Sequence, residues 1–323
     1  MIYRGLLLMS LSLFSWSVSN AESPKVTTDL MLGAGVLDSS LYDTYYARER
    51  FPGNSVVGLS NLSPVAFYRP EFSSSLSWNS WVLRLGLAAE IVESPPNDTS
   101  RNQFVLDPWA GQFYAQKGIT SNAGAYRAEA GAGYRFKGSG WSLGTFLIFN
   151  SRQEDFDYEA FPLANGVGVL GFRNYDQRWQ SIEISTLFRT NLGTAAKWEV
   201  EPYFSIWGEG KQESQGTSFQ GTTALFEQYH LGLRVATIGM HLRLLAPIEW
   251  DLTSNTGRLK QYLLIGLHRR QSRMDYFIRS ATYFGDPVSA PWAIIRDWNS
   301  LNSTRIETES MIYLGIRIET GSP

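Results

Sequence analysis

Trp81-Val82-Leu83-Arg84-Leu85-Gly86-Leu87-Ala88-Ala89-Glu90-Ile91 alternates without a slip. Trp81, Leu83, Leu85, Leu87, Ala89 and Ile91 fall on one face; Val82, Arg84, Gly86, Ala88 and Glu90 fall on the other. Side chains of a strand point alternately to opposite sides, so this stretch reads as a strand with one wholly apolar face.

Working outward, the same period returns. Tyr126/Ala128/Ala130/Ala132/Tyr134/Phe136 and Trp141/Leu143/Thr145/Leu147/Phe149 flank the tetrapeptide Lys137-Gly138-Ser139-Gly140. Further apolar faces are expected at Ile182/Ile184/Thr186/Phe188, at Trp198/Val200/Pro202/Phe204/Ile206, at Tyr229/Leu231/Leu233/Val235 and at Leu242/Leu244/Ala246/Ile248/Trp250. Leu263/Ile265/Leu267, Tyr276/Ile278/Ser280/Thr282/Phe284 and Ile306/Thr308/Ser310/Ile312/Leu314/Ile316/Ile318 complete the run toward the C-terminus. Toward the N-terminus lie Thr28/Leu30/Leu32/Ala34/Val36 and a weaker segment, Pro64 to Phe72, in which each proline removes a ladder donor. No charge falls on the apolar faces from Trp81 onward. The opposite faces carry Arg84, Glu90, Arg127, Glu129, Arg135, Glu183, Arg189, Glu199, Glu201, Arg234, Arg243 and Glu249, and beyond them Arg279, Glu307, Glu309 and Arg317.

Composition narrows the class. With 323 residues, 43% hydrophobic and 18% charged, the chain is neither disordered nor collagen-like. A net charge of −2 gives no footprint for nucleic acid, and the absence of cysteine removes disulfide, thiolate-metal and Cys-nucleophile chemistry. Met1 to Ala21 has the basic start, apolar centre and small-residue end of a secretory signal peptide. The mature chain is then expected from Glu22 to Pro323, as one domain.

Alternation alone does not say which face meets water. Three features do. Aromatics gather at strand ends: Trp78, Trp81, Trp141, Trp198, Tyr134, Phe136 and Phe188 beside short links, and Phe149, Trp179, Tyr229 and Trp250 beside longer ones. Such girdles flank the apolar band of a membrane barrel. Short links near 73–80, 137–140, 191–196, 238–240 and 269–273 take turns with long ones at 37–63, 92–124, 152–177, 208–227 and 285–303, with 252–260 intermediate. The strands are also mostly of spanning length, about 9–11 residues or more.

On these patterns the chain resembles the Gram-negative outer-membrane β-barrels. Tyr313-Leu314-Gly315-Ile316-Arg317-Ile318 matches the body of their terminal strand, although the chain closes on Glu319-Thr320-Gly321-Ser322-Pro323 without a final aromatic. The resemblance implies an all-β, antiparallel, up-and-down transmembrane barrel of about twelve strands, apolar outside and polar inside. It also implies outer-membrane lipid, lipopolysaccharide and the barrel-assembly machinery as partners, and no cofactor or metal. A packing face at Ala128/Ala130/Ala132 would suit an oligomer.

Twelve strands lie between filled barrels and open channels. The charged inward face therefore suggests a passive channel for small solutes. An envelope lipid hydrolase using His230 as base is the first alternative, and a structural or adhesion barrel is the second. Loop residues Trp109, Tyr114, Asp155 and Asp157 are candidate binding groups, because aromatics beside carboxylates can stack on sugars or narrow a pore.

Overall fold

The computed structural model describes residues 24–39, 56–57, 65–92, 103–107, 112–162, 171–193, 196–220, 223–248, 253–254, 257–284 and 304–320. Ten long strands form the wall: β1 (Lys25–Ser39), β2 (Val65–Trp78), β3 (Trp81–Val92), β4 (Gln112–Lys137) and β5 (Trp141–Pro162). They continue with β6 (Gly171–Leu192), β7 (Ala196–Gln220), β8 (Thr223–Ile248), β9 (Gly257–Phe284) and β10 (Thr304–Thr320). Each pairs antiparallel with its neighbours in sequence, and Thr27–Ser39 of β1 against Glu307–Glu319 of β10 closes the ring. Short pieces at Val56–Val57, Gln103–Asp107 and Thr253–Ser254 add to the wall's edges.

The strands are joined at one rim by tight turns. Asn79, at φ 54°, makes the β2–β3 corner in a left-handed conformation that asparagine tolerates. Gly140 and Gly193, at φ 80° and 65°, serve β4–β5 and β6–β7, where a side chain would be strained. The β8–β9 link also lies at this rim, since Leu259 pairs with Thr320. It had been expected at the long-loop rim.

The barrel has ten strands rather than twelve, and the reason lies in β8 and β9. Tyr229, Leu231, Leu233 and Val235 were expected on the outer face; all are buried inside. Thr237, His241, Arg243 and Leu245 continue on that same inward side without a break, while Ile238, Met240 and Leu244 face outward. In β9, Leu263, Ile265 and Leu267 point out, followed on the same side by Arg269, Gln271, Arg273 and Asp275. Tyr262, Leu264, His268, Arg270, Met274 and Tyr276 point in. From Tyr229 to Leu245 in β8 and from Leu263 to Ile278 in β9 the period of two does not slip; a bulge at Arg279 ends it, with Leu231 opposite Ile278 and His230 opposite Ser280. What changes is which side is apolar. The sequence places that switch near 238–240 and 269–273, where it reads as a turn between two strands. It is one continuous strand whose outer side turns from apolar to polar.

Length agrees with this. At about 3.3 Å per residue, the 28 residues of β9 run about 90 Å, far more than an apolar band about 25 Å tall requires. The barrel therefore has two storeys. The lower one is apolar outside and charged inside; the upper one is polar outside, and inside it sets Tyr229, Leu231 and Leu233 among the buried polar groups Gln177, Gln212, Ser214 and Arg305.

A β-bulge marks the boundary in β7. Ile182 of β6 opposes Trp207, whereas Glu183 opposes Ser205, so Ile206 is the extra residue. Both Ile206 and Trp207 face outward as a result. Beyond the bulge the inward set changes from Glu199, Glu201 and Tyr203 to Gln212 and Ser214. At the short-turn rim Trp81, Trp141, Trp198, Tyr134, Phe136 and Phe188 ring the outer surface, with Trp81 edge-on to Tyr134 at 5.6 Å between centroids. Trp179 and Tyr229, expected in the opposite girdle, instead turn inward. Trp250 lies outside the described residues.

Pro70 does not end β2. Pairing with β3 is interrupted at Arg69 and Pro70 and resumes in the same register, Tyr68 opposite Ile91 and Glu71 opposite Ala88. The proline thus sits where no donor is asked of it.

Candidate functional site

The lower storey encloses a lattice of ion pairs, set there because every second residue of each strand points at the axis. Glu199 on β7 takes Arg189 Nε at 2.6 Å, Arg243 at 3.5 Å and the Arg317 guanidinium. Arg317 in turn grips Asp29 of β1 with two hydrogen bonds of 2.7 Å. Glu201, two residues on, accepts from Arg84, from Arg243 at 2.7 Å and from the Ser185 hydroxyl at 2.7 Å. At the rim Lys197 meets Glu319 at 3.0 Å.

A second cluster lies above. Arg152 of β5 holds Glu90 through bonds of 3.0 and 2.7 Å and Glu154 through one of 2.6 Å. Arg270 meets Glu307 at 2.6 Å and Glu309 at 3.0 Å. Arg69 reaches Glu309, Glu90 at 3.3 Å and Glu71 at 3.4 Å. His268 Nδ1 lies 2.9 Å from Glu309 and its Nε2 lies 2.8 Å from the Tyr203 hydroxyl. His241 stacks on His268 with centroids 4.1 Å apart. Arg127, also turned to the axis, bonds Asn150 at 3.1 Å and Glu129 at 3.3 Å.

Over this lattice sits an apolar layer of Trp179, Tyr229, Leu231, Leu233, Val235, Met274 and Tyr276, with Ile278 packed against it. Arg152 and Arg270 lie over the Trp179 ring at 5.3 and 5.9 Å from its centroid, so the two layers interlock. Lower down, Val82, Phe146, Ile148 and Leu187 form another apolar group. Three cavities lined by described lumen residues hold about 20 to 30 Å³ each, room for about one water apiece. Gly239 and Gly266 show how closely the interior is filled. A Cβ on either would strike the ring of Tyr203 or Tyr313 respectively, so each glycine makes space for a neighbouring phenol.

The sequence-derived candidates divide as follows. Arg84, Glu90, Arg127, Glu129, Arg135, Glu183, Arg189, Glu199, Glu201 and Arg243 turn to the axis. Arg234 does not. It lies on the outer wall of the upper storey with Arg279, the two guanidinium carbons 5.8 and 5.6 Å from the Phe277 ring centroid. The inversion of polarity accounts for both. Glu249 and Trp109 lie outside the described residues, as do the side chains of Tyr114 and Asp157; Asp155 is exposed. Arg69, Glu71, Arg152 and Arg270 are among the lumen groups that escaped the sequence reading. Arg69 and Glu71 belonged to a segment discounted for its prolines, Arg152 to a supposed loop, and Arg270 to a supposed turn. Unbroken parity with His268 was the signal that could have found Arg270.

His230, expected to face inward, lies on the outer face between the inward Tyr229 and Leu231. The ladder sets it opposite Glu213 of β7 and Ser280 of β9. Ser185 and Ser205 are inside, bonded to Glu201 and to the Thr237 amide.

A closed antiparallel barrel, apolar around its outer waist and charged within, is the architecture of the Gram-negative outer-membrane β-barrels. The described strands of this chain build that architecture. No protein-family model matches the sequence, and no curated protein matches it. Among solved structures it is similar to the outer membrane protease OmpT from Escherichia coli, with TM-score 0.44 and 11% identity over 94% of this chain and 99% of that one. It is also similar to the translocator domain of autotransporter NalP from Neisseria meningitidis, with TM-score 0.30 and 8% identity over 98% and 94%. The outer membrane protein opdK from Pseudomonas aeruginosa aligns with TM-score 0.17 and 9% identity over 90% and 98%.

Proposed function

We propose that the chain spans the outer membrane as a barrel closed along its axis, and that it works through its upper storey, held outside the cell. The buried apolar cluster of Trp179, Tyr229, Leu231, Leu233 and Tyr276 inside the barrel carries this reading. An open solute path would need water where these side chains meet. Among the three functions the sequence suggests, this supports the structural or adhesion barrel over the passive channel, which would require both the apolar layer and the ion-pair lattice to part. The lattice serves as an internal brace: with both signs interleaved it carries little net field, whereas selectivity for one ion sign calls for an excess of one charge. Recording in planar bilayers tests the proposal. The folded protein is expected to show no steady conductance, and a stable open level would restore the channel reading.

The lipid-hydrolase reading keeps one specific support, the cross-strand row Glu213–His230–Ser280 on the outer wall. Residues directly opposite on adjacent strands have Cβ atoms about 4.5–5.5 Å apart, the neighbourhood a serine, its base and an orienting acid require. Comparing lipid A and phospholipid composition with and without Ser280→Ala tests it, and identical compositions would remove it.

A further inference from the structure

The outer wall is not uniformly smooth. Across β1 to β5 runs an open groove of about 680 Å³. Its lower side is one row of the ladder: Leu30, Phe72, Leu87, Ala128 and Ser151, each opposite the next. Its upper side is Pro70, Ala89, Tyr126 and Gln153, and where the ladder is interrupted its floor also reaches Glu71 and Arg127 of the inner face. Two features of the chain make this depression. The β2–β3 ladder is interrupted at Arg69 and Pro70, and small side chains at Ala89 and Ala128 sit between the larger Phe72, Leu87 and Tyr126.

The groove has a direction. Counted along the strands from the short-turn rim, Leu30 lies near the start of β1, whereas Ser151 lies well up β5, past the exposed Leu147 and Phe149. The row therefore climbs from the depth of the apolar belt to its upper edge. Polarity follows the climb, from Leu30, Phe72 and Leu87 to Ser151 and Gln153. Four inter-strand spacings of about 4.8 Å make it about 19 Å long. A bare apolar depression would accept anything greasy. This one ends in hydroxyl and amide groups at the level where the belt meets water.

We infer that the groove binds one acyl chain of an external-leaflet lipid, with the chain descending along Phe72, Leu87 and Ala128 and the polar end held near Ser151 and Gln153. The inference rests on the membrane placement proposed above. A second copy of the protein is the rival occupant, but a flat partner wall would bridge the depression rather than fill it.

Native mass spectrometry of the full chain, released from non-ionic micelles doped with dipalmitoyl phosphatidylethanolamine, is the test. One lipid is expected to stay on the monomer. Ala128→Trp and Ala89→Phe fill the groove and should lower the lipid-bound fraction about tenfold, the weight of roughly two displaced methylenes. Ala132→Trp adds equal bulk on the same outward face outside the groove and should leave the fraction unchanged. Equal retention in all variants, or equal loss in Ala132→Trp, overturns the inference. So does a dimer mass that disappears on filling the groove. Heat-modifiable electrophoretic mobility verifies that each variant is folded, and recovery in the detergent-extracted membrane fraction reports membrane placement by itself. A protein recovered there without the lipid adduct would refute the groove alone.

Discussion

Glu199→Gln separates a braced barrel from a water-filled one. The carboxylate is fully enclosed and is shared by Arg189, Arg243 and Arg317, of which the latter two are almost wholly buried. A neutral amide of the same shape leaves three guanidinium groups around a site with no anion. Arg317 keeps Asp29, but Arg189 is left with Glu319 at 3.6 Å and Arg243 with Glu201. Each lost pair is of order 4 kcal/mol at 4 Å and an effective dielectric near 20, partly offset by the desolvation no longer required. Removing one partner of a buried pair therefore costs about 3–5 kcal/mol net. In a hydrated pore the same change would cost about 0–1 kcal/mol, as for exposed pairs. Reversible urea unfolding in lipid vesicles, followed by tryptophan fluorescence, measures the difference. Lys211→Met, which breaks the exposed Lys211–Glu213 pair on the outer wall, gives the solvent-exposed reference. A loss for Glu199→Gln no larger than for Lys211→Met would refute the closed lattice.

Other outcomes follow from the two-storey arrangement. The chain has no cysteine, so single thiols report position cleanly: Arg234→Cys on intact cells should react with an impermeant maleimide, and Arg243→Cys should stay unlabelled until unfolding. Leu233→Ala in the apolar layer should cost about 2–5 kcal/mol by the same urea assay, whereas a change near zero would mean that the layer is loosely filled. Gly266→Val forces a branched side chain onto the Tyr313 ring and should cost about 1–3 kcal/mol; unaltered stability would show that the ring moves aside freely.

Much of the fold could be read from single residues. Trp81 to Ile91 needed no tertiary information, because a period of two on one face is a property of an extended chain. The same holds for the outward Ile182/Ile184 and Ile312/Leu314 and for the inward Glu199 and Glu201. Arg234 and Arg279 were misplaced because the rule relating apolarity to the outside was carried along strands that leave the apolar belt. Trp179 and Tyr229 were misassigned to a girdle for the same reason. The partners within the lumen were not legible at all. Arg317 and Asp29 are 288 residues apart in the chain, and only the closure of β1 on β10 brings them together.

Alternation, an apolar waist and, from Trp81 onward, the charged parity of the lower strands are written in the chain. These are local consequences of backbone geometry and side-chain chemistry. The count of ten strands, the inward turn of Tyr229, Leu231 and Leu233, and the groove at Pro70 came only with the closed ring. A strand records which residues share a side, but whether that side faces lipid, water or another side chain depends on its height in the barrel and on its neighbours across the axis. Height and neighbours are set when the ring closes.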